Sequence, residues 1–264
     1  MQMPAEVYRK IERLLNKFLW DGLPWCKWSH VCAPYEEGGL NIRPLEDILT
    51  TFWHKLWLRL REGTSLWRKF MMSKYCRKYH PKLAPVHPSH SRVWKNLHKV
   101  RDATEEQIHW QIGDGSCDFW LDSWMELHPL VHYYPENRGG ILVKDMWCEG
   151  QWDVDKLSSL LRLEHVEKVS EVFICQGSPD RLIWKGSKNG EFSFKEAFEE
   201  GRQHRPRSVI SYALWHNNIP KKMSFLAWRL WNGWLPVDET LMKSVTISPR
   251  SYAPEVRIVP NPGH

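Results

Sequence analysis

The amino-acid sequence predicts an α+β fold, predominantly helical, with two short antiparallel β-hairpins. Three observations carry that prediction. Several segments repeat apolar residues at three-to-four spacing behind a Pro, Ser or Asp that suits a helix start. Two places alternate apolar and polar residues on both sides of a Gly-containing turn. The pattern contains no internal repeat and no apolar run of membrane-spanning length.

In chain order, Pro4 suits the first position of a helix over 4–20, with Val7, Ile11, Leu14, Leu15 and Phe18 on one stripe and Asp21-Gly22 as its stop. The stretch to Arg43 holds Pro24, Pro34 and Gly38-Gly39 and reads as a loop. Pro44 opens a second helix whose stripe is Leu45, Ile48, Leu49, Phe52, Leu56 and Leu60. Gly63 ends it, and Thr64 can cap a third helix running to Tyr79. Three prolines within 80–90 predict a linker, followed by a short basic helix from Ser91 to Val100. Ile108, Trp110 and Ile112 alternate before Gly113-Asp114-Gly115-Ser116, and Cys117, Phe119 and Leu121 alternate after it. This is the first hairpin, its turn residues supplying positive φ. Asp153–Leu161 and Glu164–Cys175 are amphipathic helices. Arg181–Lys185 and Glu191–Phe194 form the second hairpin, which runs into a helix opened by the capping box Ser193-Phe-Lys-Glu196. Pro220 starts the last helix, Lys221–Trp231, and beyond Ser248 prolines without periodicity predict a frayed tail.

At 264 residues and 42% hydrophobic, the chain can bury a substantial core. The longest charge-free run, Ser208 to Pro220, has 13 residues, short of the roughly 18 a membrane helix needs. The N-terminus lacks the apolar region of a signal peptide, so an intracellular destination, nuclear or cytoplasmic, is expected. Six widely spaced cysteines without C-x-x-C read as reduced thiols. Tryptophan, at 17 copies, is the dominant aromatic and can build a core, an interface or a base-stacking platform.

The net charge of +6 hides segregation. Residues 53–101 carry 13 Lys/Arg and a single acid, Glu62, whereas residues 102–200 carry 20 acids against 9 bases. Such a basic block either docks on the acidic one or tracks a polyanion. Trp53, Trp57, Trp67, Tyr75, Tyr79 and Trp94 are interleaved with its cations, a composition suited to single strands. Lys55, Arg59, Arg61, Arg68, Lys69, Lys74, Arg77 and Lys78 are the candidates for phosphate contact. Lys221 and Lys222 join them, because cations at a helix's first turn oppose its dipole and favour an external anion. Trp110, Trp120, Trp124 and Trp184 read as core, and Phe225, Trp228 and Trp231 as core or partner interface.

No catalytic constellation emerges. His87-x-x-His90, His128-x-x-x-His132 and the loop trio Cys26, His30 and Cys32 lack the paired spacings of a structural zinc site. A phosphate-cradling P-loop and a G-x-S-x-G elbow are absent, and Asp114, Asp118 and Asp122 are isolated acids around a hairpin. The expectation is a non-enzyme with no metal and no cofactor.

Several phrases together resemble one family: Phe18-Leu-Trp-Asp-Gly22, Lys27-Trp-Ser-His-Val-Cys-Ala-Pro-Tyr-Glu-Glu-Gly-Gly-Leu-Asn-Ile-Arg43, Ser65-Leu-Trp-Arg68, Trp110-Gln-Ile-Gly-Asp-Gly115 with Phe119-Trp-Leu-Asp-Ser-Trp124, Asp180-Arg-Leu-Ile-Trp184 with Gly190-Glu-Phe-Ser-Phe-Lys195, and Ile219-Pro-Lys-Lys-Met-Ser-Phe-Leu-Ala-Trp-Arg229. Their order resembles the region downstream of the polymerase core in plant LINE-type (non-LTR) retrotransposon reverse transcriptases, running into the start of the zinc-binding module. The resemblance implies a helical thumb- or connection-like region at 1–80, a Pro-rich linker and short basic helix at 81–100, a mixed hairpin and helix region at 101–200, a truncated zinc-binding-module-like region at 201–247 and a disordered tail at 248–264. It implies RNA or single-stranded nucleic acid as partner, with a polymerase domain supplied in trans. Metal binding does not carry over, since no cysteine follows Cys175. The alternative is a degenerate structural or protein-interaction remnant without independent activity, in which the basic and acidic blocks satisfy each other.

Overall fold

The computed structural model describes residues 5–20, 24–125, 128–148, 150–175 and 177–234. Among these the α+β, mainly helical class holds: ten α-helices accompany two antiparallel two-stranded sheets. No described helix is long and apolar enough to cross a membrane. The chain gathers into two compact units, Met1–Pro24 with Ile42–Arg205, and Trp25–Asn41 with Pro206–His264.

In the first unit, α1 spans Ala5–Trp20 and buries Trp20, while Leu14, Leu15 and Phe18 of its expected apolar stripe stay exposed. α3 (Leu45–Arg61) follows Pro44, which needs no amide hydrogen at a helix start. α4 spans Leu66–Tyr75, with Ser65 rather than Thr64 as its N-cap, the hydroxyl accepting from the Arg68 amide at 3.2 Å. α5 (Arg92–Glu106) begins at Ser91 as expected but runs past Val100. Trp53, Trp57, Tyr75 and Trp94 are buried together between these three helices, with Tyr75 and Trp94 stacked at 4.6 Å. Burial against one another corrects their reading as base-stacking rings. The expected linker is also packed: Ala84 is fully buried, and the Trp94 indole donates to Pro85 O at 3.2 Å.

Neither expected hairpin closes locally. β1 (Ile108–Gln111) pairs instead with β4 (Arg181–Trp184), Ile108 opposite Trp184 and Trp110 opposite Leu182, so four apolar side chains share the buried face. The other sheet is the short pair β2 (Trp147–Cys148) and β3 (Gln151–Trp152). Residues 117–121 are a compact loop, not a strand, bridged to Leu142 through Asp118. Trp110, Trp120, Trp124 and Trp184 are core, as expected, packed with β1, β4, α6 (Val154–Leu160) and α7 (Leu163–Ser170). α8 (Phe194–Gly201) starts at the foreseen Ser193 cap.

The second unit joins α2 (Trp28–Val31) and the turn Tyr35–Glu37 to α9 (Val209–Leu214) and α10 (Lys221–Trp231). The fully buried Trp228 donates its indole N–H to Gly38 O at 2.7 Å, and the Ser208 amide donates to Glu36 O at 2.8 Å. A Cβ on Gly39 would stand 2.0 Å from Ala33 O, so only glycine permits this approach. The expected tail at 248–264 and the last part of 201–247 lie outside the described residues.

Candidate nucleic-acid interface

The helical periodicity of α3 separates its cations into two fates. Arg59 is exposed and Lys55 half-buried, one turn apart beside a hollow shared with Glu62, Arg181 and Glu191. Arg61, four residues after the core residue Trp57, turns inward instead. It is buried, its Nε 2.9 Å from Glu105 Oε1 (close enough for an ion pair, though not aligned for a hydrogen bond), and it donates to Asp122 and, at 3.1 Å, to His80 Nε2. Burial would lower the Arg61 pKa, but the Asp122 and Glu105 carboxylates outweigh it and hold the guanidinium charged. Burial likewise opposes ionisation of Asp122, yet Arg61 keeps that carboxyl well below the usual carboxylate range. This corrects the assignment of Arg61 to phosphate contact: its charge is neutralised inside the fold.

Arg68 is also engaged internally, its Nε donating to Leu60 O at 2.9 Å and so satisfying a carbonyl left free at the C-terminal end of α3. Lys69, Lys74, Arg77 and Lys78 are exposed on α4 and just after it. Lys74 Nζ lies 5.3 Å from the ring centroids of both Phe70 and Tyr75. Among the described residues Lys55, Arg59, Lys69, Lys74, Arg77 and Lys78 have no carboxylate within ion-pair distance. Among the described residues of the basic block, Arg61, His80 and Lys82 lie within ion-pair distance of carboxylates of the acidic block, beyond the local pair Arg101–Asp102. Exposed rings beside these cations are Phe70 and Tyr79, with Trp67 half-buried.

In the second unit Lys221 and Lys222 are exposed at the first turn of α10, where neither a side-chain cap nor an acidic residue offsets them. Lys221 Nζ lies 5.6 Å from the Tyr35 ring centroid and 5.9 Å from that of Trp215, and these two rings stack at 4.3 Å.

Three carboxylates missed as structural elements organise the first unit. Asp180 accepts from the amides of Gly113 (2.7 Å), Gly115 (2.9 Å) and Cys117 (2.7 Å) and from the Ser116 hydroxyl (3.1 Å). Asp118 accepts from the amides of Trp120, Leu121 and Gly140, and Asp122 from that of Asp118 at 2.9 Å. These carboxylates serve as internal acceptors for backbone donors that would otherwise lack partners. The Cys117 thiol, enclosed by the same loop, is pushed far up by burial and by Asp180, and burial raises the Cys76 thiol to about 11.

Residues 192–252 match the family described as zinc-binding in reverse transcriptase. A protein of Arabidopsis thaliana named "putative ribonuclease H protein" is 28% identical over 266 residues, covering 90% of this chain and 42% of that relative. The chain therefore spans about two fifths of the length of the curated relative it matches. No solved structure matches it. The two likenesses support a reverse-transcriptase-related region. The zinc that the matched family implies does not fit the residues present. The matched stretch contains His204 and His216 and no cysteine, against the four N/S ligands of a structural zinc site. Among the described residues no three His, Cys, Asp or Glu side chains cluster to hold a metal ion.

Proposed function

We propose that this chain is a non-catalytic part of a plant LINE-type (non-LTR) retrotransposon reverse transcriptase, and that its biochemical activity is binding RNA or single-stranded nucleic acid. The observation that carries the reading is the set of exposed cations without ion pairs on α3, α4 and the turn after α4: Arg59, Lys69, Lys74, Arg77 and Lys78. Phosphate neutralisation by such a set releases counterions, so binding falls linearly in log–log form with salt, by about 0.7 per contacted phosphate on a single strand. A polymerase domain supplied in trans is the natural partner, since this chain offers no cluster of carboxylates for nucleotidyl transfer among the described residues.

The test is retention of labelled single-stranded RNA by the full chain across a salt titration. A steep, salt-sensitive curve is expected, flattened stepwise by Lys69→Ala and Lys74→Ala. Absence of retention at low ionic strength refutes the reading. Nucleotide incorporation by the chain alone would refute its non-catalytic part.

A further inference from the structure

We infer that the second unit carries a niche for one unpaired nucleotide, built where the turn Tyr35–Glu37 meets α9; the inference rests on the single-strand binding proposed above and locates a base contact for it. A cavity of about 300 Å³ lies there, walled by Tyr35, Asn41, Tyr212, Trp215 and Asn217. That volume is at the small end of ligand sites, enough for one planar base and its sugar and too little for a duplex.

Four features suit a nucleobase. First, Tyr35 and Trp215 stack at 4.3 Å and 25°, giving a rigid aromatic wall, while Tyr212 stands 67% exposed at the rim. Second, Trp215 is only 9% exposed, yet its indole N–H has no acceptor. A buried donor without a partner is costly, and because that atom is shut off from solvent a base carbonyl or ring nitrogen meets it only when the indole edge turns toward the cavity. Third, Asn41 sits at φ +56°, in the left-handed region that few residues other than glycine adopt. Its amide, exposed at the cavity beside that of Asn217, presents a donor and an acceptor such as a base edge pairs with. Fourth, Lys221 places a positive charge against the stacked rings, within reach of a phosphate on the strand entering the niche. The one acid lining the cavity, Glu36, is countered by Arg207 at 3.7 Å. The walls are held in place by the Ser208 amide bonded to Glu36 O, so the cavity exists before any ligand arrives.

The experiment photocross-links the full chain to a single-stranded oligonucleotide carrying one 5-iodouridine and maps the adduct by mass spectrometry. Adducts on Tyr35, Tyr212 or Trp215 are expected. Tyr212→Ala, a change at an exposed side chain that leaves the fold intact, lowers affinity about fivefold or more, the value of one stacking contact. Lys69→Ala changes the salt slope and leaves the adduct position where it is. Salt-sensitive binding with adducts confined to α3 and α4 and no effect of Tyr212→Ala overturns the niche while the proposed function stands. Absence of any retention at low salt overturns the proposed function and the niche with it.

Discussion

Replacing Arg61 with alanine separates a guanidinium that holds the fold from one that waits for phosphate. Asp122 accepts from Arg61 on one oxygen and from the Asp118 amide on the other, and Glu105 shares an oxygen between Arg61 and the Trp57 indole, 2.7 Å away. Without the guanidinium, Asp122 keeps His80 Nε2 at 3.3 Å and the Asp118 amide, and Glu105 keeps the Trp57 indole and Lys82 Nζ at 3.9 Å, the latter also held by Leu121 O at 2.7 Å. The variant therefore buries carboxylates with too few partners. Breaking a buried pair from one side costs about 3–5 kcal/mol. In a unit of this size each kcal/mol moves Tm by about 2–4 °C, so a fall of about 6–20 °C is expected. Arg59→Ala, exposed two residues earlier, should stay within about 0.5 kcal/mol of the parent. Differential scanning calorimetry reads the stability, and RNA retention against salt, at a temperature where both variants are folded, reads the binding. Arg59→Ala should lower the salt slope and Arg61→Ala should not. An Arg61→Ala protein that melts within about 2 °C of the parent, or one that loses salt slope while folded, refutes the structural role argued from these distances.

Further outcomes test the same network. Asp180→Ala removes the acceptor of three amides and a hydroxyl and should cost at least about 2 kcal/mol in urea unfolding, with Asp180→Asn recovering only part. Gly113→Ala should destabilise by about 1–3 kcal/mol, because its Cβ would stand 2.2 Å from Ser178 O. The pH dependence follows from Asp122. Its folded pKa lies below its unfolded value near 3.9, so its stabilising share is complete above that pH and is lost as pH falls through it toward the folded value. Urea midpoints should decline below about pH 4, with a shallower decline in Asp122→Asn.

The helices were legible because their signals are local. Pro44, Ser91, Ser193 and Pro220 mark starts that the fold uses, and α10 matches its expected span of Lys221–Trp231. The strands were legible in type and not in partner. Alternation identified Ile108–Ile112 and Arg181–Lys185 as strand-forming, but nothing local shows that Asp180 closes over the amides of 113–117 and draws β4 onto β1 from some 70 residues away. Gly113 read as turn chemistry; Gly115 has that positive φ, at 70°, whereas Gly113 is needed for close approach to Ser178 and Pro179. Charge segregation exposed the basic block without sorting it. Arg61 and Arg59 are indistinguishable as residue types, and only the phase of α3 relative to Trp57 tells the buried cation from the exposed one.

The second unit poses a different question, namely what holds a zinc-module-like helix pair whose residues cannot assemble a zinc site. A structural metal contributes folding free energy by cross-linking chain segments that bury little apolar surface. Here the distant segment 25–41 provides the cross-links. The Trp228 indole on Gly38 O, the Ser208 amide on Glu36 O and the Tyr35–Trp215 stack tie α9 and α10 to it at three separate points. Each tie joins residues more than 170 positions apart, so the closure entropy a metal would otherwise offset is offset by packing and directed hydrogen bonds. Of these ties the Tyr35–Trp215 stack also walls the cavity. In this unit packing and hydrogen bonds from the distant segment 25–41 hold α9 and α10, and the Tyr35–Trp215 stack that takes part in this also borders a cavity.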